Sequence, residues 1–269
     1  MTGKKPIAVL SIPFDEKSSF LQGPAQGPVK IWEGFHSASS NTFTESGIDL
    51  ADCDDFQNIG ELALEGSVEE RFCQIRRAID GIVGTGRRVL TLGGDHSITY
   101  PLVRGYSRHY SDLTIVHFDA HGDLYDSLDG DPLSHACPFA RIMERGLAKR
   151  LVQVGIRSIN NHQRAQIKRF GVETIEMKNF TPDCLADVQG DVYVSFDMDA
   201  LDPAFAPGVS HYEPGGLTSR QAIDLIQSLN CNIVGADIVE LNPLRDWHEM
   251  TAMAAVKMMK EISAKMLEH

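Results

Sequence analysis

VLTLGGDHS (Val89–Ser97) reads as a buried strand that stops at two glycines and delivers an acid and a histidine. The form recurs twice. LTIVHFDAHGD (Leu113–Asp123) runs an apolar stretch into Asp119, His121 and Asp123, and VYVSFDMDALDP (Val192–Pro203) runs another into Asp197 and Asp199. Each apolar run is near-continuous rather than alternating, the mark of a strand covered on both faces. Ile7–Ile12, Leu151–Val154 and Ile233–Val239 are three further runs of this kind. Helical patterns lie between them. Ser67-Val68-Glu69-Glu70 is a capping box opening a segment with Phe72, Ile75, Ile79 and Ile82 at helical spacing. Thr218-Ser219-Arg220-Gln221 opens another, with Ala222, Leu225, Ile226 and Leu229 on one side, and Met250–Met266 reads as a terminal helix. Alternation of this kind predicts an α/β fold, a mostly parallel sheet with helices on both faces. No repeat or charged linker divides the chain, so residues 1–266 are read as one domain. Leu267-Glu268-His269 resembles the start of an expression tag and is set outside the fold.

In an open parallel sheet, ligands bind beyond the carboxyl ends of the strands. Residues i and i+2 of an extended strand project to one side, so Asp119 and His121 can aim at one point, as can Asp197 and Asp199. Taken singly, each motif has an ordinary reading as a turn or a cap. Taken together, they bring at least four carboxylates and two histidines to one pocket, and such carboxylates do not all ionise without a compensating cation. Two divalent cations meet that need. Carboxylate and imidazole ligands without thiolate favour Mn2+, and a pair of metals lowers the pKa of a shared water.

The formal net charge of −12 argues against a nucleic-acid partner, which needs a basic face. No apolar run approaches the roughly 18–20 residues that cross a bilayer, which argues against a membrane protein. MTGKKPIAVLSIPFD (Met1–Asp15) breaks its short apolar run at Pro13 and reads as a first strand, not a signal peptide. The five cysteines are widely spaced and form no C-x-x-C, so neither a disulfide framework nor a thiolate metal site is expected, and a reducing cytoplasm is.

GGDHS, DAHGD and SFDMDALDPAFAPG (Ser195–Gly208) resemble the three metal motifs of the ureohydrolases, the family of arginases, agmatinases and related guanidino-acid hydrolases. The resemblance extends through SSFLQGPA (Ser18–Ala25), SHA (Ser134–Ala136), VGIRS (Val154–Ser158), HYEPGGL (His211–Leu217) and GADIVELNP (Gly235–Pro243). It covers Ile7 to Lys265, and the pattern is similar to the plant-type arginase branch and its bacterial agmatinase-like relatives. The resemblance implies a three-layer α/β/α fold with an eight-stranded, mostly parallel sheet. It implies two Mn2+ per subunit, with His96 and Asp123 on the first, His121 and Asp199 on the second, and Asp119 and Asp197 bridging. It further implies that Glu240 pairs with the substrate guanidinium and that His135 shuttles the proton to the leaving amine. With these two, Asp123 joins the catalytic set. A small guanidino substrate and a homo-oligomer, trimer or hexamer, are implied as partners.

The tail of the substrate is to be met by the loop Leu124–Leu133, which holds Asp126, Asp129 and Asp131 and no Lys or Arg. Asp129 and Asp131 there would repel a substrate carboxylate and attract an ammonium, which places agmatine ahead of arginine. His211, beside EPGG, is a further candidate for the pocket, and His117 reads as a buried strand histidine. Two other classes remain open at this level: a single-zinc deacetylase on the same fold, and a non-catalytic guanidine-binding relative.

Overall fold

The computed structural model describes residues 5–268. Eight strands, β1 (Ile7–Ile12), β2 (Phe56–Glu61), β3 (Arg88–Gly93), β4 (Thr114–Phe118), β5 (Arg150–Ile156), β6 (Glu173–Glu176), β7 (Asp191–Asp197) and β8 (Asn232–Val239), form one sheet. Their order is β2-β1-β3-β8-β7-β4-β5-β6, and every pairing is parallel.

The period of two along each strand divides the core. Leu90 and Leu92 of β3, Val116 and Phe118 of β4 and Val192, Val194 and Phe196 of β7 share one apolar cluster. Val89, Ile115 and Tyr193 from the same strands join the other. Both faces are therefore apolar, which explains the unbroken runs. Helices α1 (Gly27–Phe35), α6 (Ser219–Ser228) and α7 (Met250–Leu267) cover the first face. Helices α2 (Val68–Gly84), α3 (Thr99–Tyr106) and α4 (Pro138–Glu144) cover the second, with the C-terminal end of α5 (Asn161–Phe170) packed against it. The result is the three-layer α/β/α arrangement.

Both predicted capping boxes are present, at Ser67 with Glu70 and at Thr218 with Gln221. The two strands that carry no apolar run, β2 and β6, are the sheet edges. Five of the six residues of β2 are exposed, and β6 reads Glu-Thr-Ile-Glu. Edge strands lack a second neighbour to bury against and carry little hydrophobic signal. One boundary moves. Leu267, set outside the fold with the tag-like residues, is the last residue of α7 and is buried in the core, whereas His269 lies outside the described residues. Among the described residues, no helix is long and apolar enough to cross a membrane.

Candidate metal centre and substrate cavity

The three motif-bearing strands are not contiguous: β8 lies between β3 and β7, and the central order β3-β8-β7-β4 sets four carboxyl ends side by side. At the end of β3 the chain turns too tightly for any side chain at Gly94, where a Cβ would stand 2.0 Å from the Phe14 carbonyl oxygen. Asp95 then caps the next turn, its Oδ1 accepting from Ser97 N at 3.0 Å, and His96 enters the interior fully buried. His96 Nδ1 lies 3.1 Å from Asp119 Oδ2, 3.2 Å from Asp123 Oδ2 and 3.1 Å from Asp197 Oδ2.

The other face of this ring fixes its orientation. Ser195 Oγ donates to Asp237 Oδ1 at 2.7 Å, so its oxygen accepts from His96 Nε2 at 2.9 Å. Asp237 Oδ2 accepts in turn from Thr99 Oγ1 and Tyr193 OH at 2.9 and 2.7 Å. Nδ1 is thereby presented to three carboxylate oxygens. Burial pushes the His96 imidazole down, but Asp119, Asp123 and Asp197 outweigh it and drive it well above its ordinary range. A cation is needed at this point, as a proton or as a metal.

Asp119 joins two groups. Its Oδ2 faces His96, and its Oδ1 lies 3.4 Å from His121 Nδ1, which is also 3.1 Å from Asp199 Oδ2. The possible ligand atoms of His96, His117, Asp119 and Asp123 all fall within 4.8 Å of one another, as do those of Asp119, His121 and Asp199. His117 is not free to ligate. Gln153 Nε2 donates to its Nδ1 at 3.0 Å, which leaves the proton on Nε2 for Asp119 Oδ2 at 2.7 Å. It is the buried strand histidine expected, and it holds Asp119 in place. Burial, then the neighbouring carboxylates, pushes Asp197 well above the ordinary carboxyl range and raises Asp199. These donors, all oxygen and imidazole nitrogen, fit two hard or borderline divalent cations.

Glu240 follows β8 in the left-handed region, φ 63°, and Asp123 shares that conformation, φ 47°. Both are non-glycine residues held in a costly region at the site, as the surrounding bonds require. Glu240 is buried, and its Oε1 accepts from His96 N at 2.9 Å and lies 2.8 Å from His135 Nδ1. Its Oε2 is buried with no partner. Burial raises the Glu240 carboxyl, but the charge and hydrogen bond of His135 and the His96 N–H outweigh it and hold it below its usual range. His135 is pushed down by burial, yet Glu240, Asp95 and Asp123 raise it to about 9.

These side chains open on a cavity of about 510 Å3. His121, Asp123, Asp197, Asp199 and Glu240 line it, together with Ser19, His135 and His211. Its lining also includes Tyr125, Leu128, Arg157, Ser158, Asn160 and Gln163: Tyr125 and Leu128 come from the loop Leu124–Leu133 expected to meet the substrate tail, Arg157 and Ser158 from the VGIRS landmark, and Asn160 and Gln163 were not singled out from the sequence. Gln163 is buried, and its Oε1 has no partner.

Asp129 and Asp131 do not line it. Asp129 sits exposed on a turn at φ 51°. Asp131 Oδ2 lies 2.7 Å from Lys17 Nζ, and its Oδ1 accepts from Leu133 N at 2.8 Å. The loop has no cation of its own, but the fold supplies one from 114 positions away. Asp126 is likewise engaged, by Gln166, Arg169 and His162. Neither Asp129 nor Asp131 is placed to select an ammonium in the cavity.

Against known proteins, the model of the Arginase family matches residues 5–264. The chain belongs to the arginase family. It is 45% identical over 278 residues to Arginase 1, mitochondrial, of Arabidopsis thaliana, spanning 97% of this chain and 81% of that protein. To the N(1)-aminopropylagmatine ureohydrolase of Thermus thermophilus it is 36% identical, spanning 93% and 87%. The solved structure of the arginase from Medicago truncatula superposes with a TM-score of 0.92 at 42% identity, spanning 97% of this chain and 87% of that one. As an arginase-family protein the chain is a metal-dependent ureohydrolase acting on guanidino groups.

Proposed function

We propose that the chain hydrolyses arginine to ornithine and urea with two Mn2+ per subunit, and that agmatine is the second-ranked substrate. The buried, unpartnered Oε2 of Glu240 carries the guanidino assignment. A buried carboxylate oxygen without a donor is costly, and a planar guanidinium supplies N–H groups and charge together. The ranking rests on the part of the cavity lining outside the carboxylates and histidines. With Asp131 neutralised by Lys17 and Asp129 turned to solvent, the polar groups there are the Tyr125 and Ser158 hydroxyls and the Asn160 and Gln163 amides, which accept from an amino group and donate to a carboxylate, beside Arg157, whose guanidinium donates to the carbonyls of Asp199 and Glu213. The similarity to plant arginases supports the same order.

His96 and Asp123 would hold one cation, His121 and Asp199 the other, and Asp119 and Asp197 would lie between them. When bound, the two cations neutralise the carboxylates and activate water near neutral pH. Glu240 orients the guanidinium carbon toward the metal centre. His135 holds a proton for the leaving amine, its ring anchored by Glu240. A trimer or hexamer and a cytoplasmic location complete the proposal, and the five free cysteines agree with a reducing compartment.

Urea release from arginine, agmatine and guanidinobutyrate after Mn2+ reconstitution tests this. Arginine should give the highest kcat/KM, and strong preference for agmatine would overturn the ranking. Metal analysis should find two Mn per subunit. One Zn would point to deacetylase chemistry, and none to a non-catalytic relative.

A further inference from the structure

His135 makes one contact through Nδ1, to Glu240, and two through Nε2, both to Ser19. Ser19 N donates to Nε2 at 3.2 Å, and Ser19 Oγ lies 2.8 Å from the same nitrogen. A backbone N–H can only donate. Nε2 is therefore the unprotonated nitrogen in this arrangement, and the ring proton sits on Nδ1 toward Glu240. The hydroxyl differs from the amide because it can reverse: it donates to a bare Nε2 and accepts from a protonated one.

Ser19 is itself held. Lys17 N donates to the buried Asp95 Oδ2 at 2.8 Å, Lys17 O accepts from His135 N at 3.2 Å, and Lys17 Nζ pairs with Asp131. The backbone of this segment is thus tied to the residue it serves. The charged and titratable groups around the ring are Glu240, Asp95, Asp123 and His211, and the Lys17 ammonium is engaged by Asp131. Ser19 is the residue that meets Nε2 between the ring and the cavity.

We propose that Ser19 is a positioning residue for His135, fixing the ring with Nδ1–H on Glu240 and Nε2 at the cavity, its hydroxyl reversing from donor to acceptor when the ring carries a proton at Nε2. The ring takes at Nε2 the proton that the attacking water gives up, passes it to the leaving nitrogen and returns to neutral. This rests on reading His135 as the proton donor.

The test compares the wild type with Ser19→Ala and Ser19→Thr. In Ser19→Ala, kcat should fall about tenfold with KM changed less than about twofold. The alkaline limb of its kcat profile should move to lower pH, because the protonated ring loses its acceptor. Ser19→Thr keeps the hydroxyl and should restore both. An unchanged kcat, or a KM rise at constant kcat, would overturn the proposal. A second measurement needs no turnover: a pH titration of His135 followed in long-range 1H–15N spectra of histidine-labelled, metal-free protein. His135 should titrate at lower pH in Ser19→Ala than in the wild type, because the protonated ring loses the hydroxyl that accepts from Nε2, and Ser19→Thr should restore the wild-type midpoint. Equal midpoints in the wild type and Ser19→Ala would overturn the proposal even if the wild type released no urea, which would separately overturn the functional reading.

Discussion

Glu240 holds His135 with one carboxylate oxygen, Oε1 to Nδ1 at 2.8 Å, and leaves the other buried and open. A neutral isostere keeps the shape and removes the charge. Glu240→Gln should therefore lower kcat/KM for arginine about a hundredfold or more, the loss expected when a charge-assisted pair becomes a neutral contact in a buried site. Steady-state urea release measures this, and metal analysis should find the cations retained. A loss below about threefold would remove Glu240 from guanidinium binding.

The acids and histidines gathered at the candidate metal centre were legible because each motif sits within a few residues of the strand that aims it. A strand end fixes direction, so Asp119, His121, Asp197 and Asp199 converge as the pattern required. Glu240 came from the family resemblance, and the fold places it directly after β8. What sequence did not carry was long-range pairing. Lys17 and Asp131 meet across 114 positions, and that one ion pair reverses the substrate argument built on Asp131. Ser19 and Gln163 gave no signal of their own, since a serine in a loop and a glutamine in a first helical turn have ordinary roles everywhere. The edge strands β2 and β6 escaped because neither carries a buried apolar run: β2 is mostly exposed and β6 only half-buried.

The orientation of His96 depends on residues that never face the cavity. Ser195 accepts from its Nε2 and passes the constraint to Asp237, which is fully buried and takes three hydroxyl donors. Asp237→Asn turns one acceptor into a donor and frees Ser195 to rotate. Weaker Mn2+ binding by about 10- to 100-fold should follow. Metal titration followed by calorimetry reads this directly, with Asp237 outside the ligand set. Wild-type affinity in the variant would show that the relay does not orient the ring.

Two variants separate the expected tail readers from those the fold provides. Asp131→Asn breaks the pair with Lys17 and should leave the ratio of arginine to agmatine kcat/KM within about threefold, because Asp131 does not line the cavity. Gln163→Glu places a carboxylate in the cavity lining, where the amide Oε1 is unpartnered. It should shift the ratio toward agmatine about tenfold, by repelling the arginine carboxylate and attracting the ammonium. The opposite pattern, with Asp131→Asn moving the ratio and Gln163→Glu leaving it alone, would return the tail to the loop.

The His135–Glu240 pair also links stability to pH. The folded pKa of His135, about 9, stands above its ordinary 6.5. A raised pKa adds stability that is fully present below 6.5 and is lost as pH rises through about 9. Glu240 is lowered, so its side of the same pair is lost only on acidification. In chelator, the unfolding free energy should thus fall between pH 6.5 and 9, with a contribution from this group on the order of 3 kcal/mol. His135→Asn cannot titrate there and should show a smaller fall over the same window. Urea denaturation at several pH values compares the two proteins, with the other histidines of the centre common to both. Equal falls would mean that the pair is already broken, or never formed, in metal-free protein.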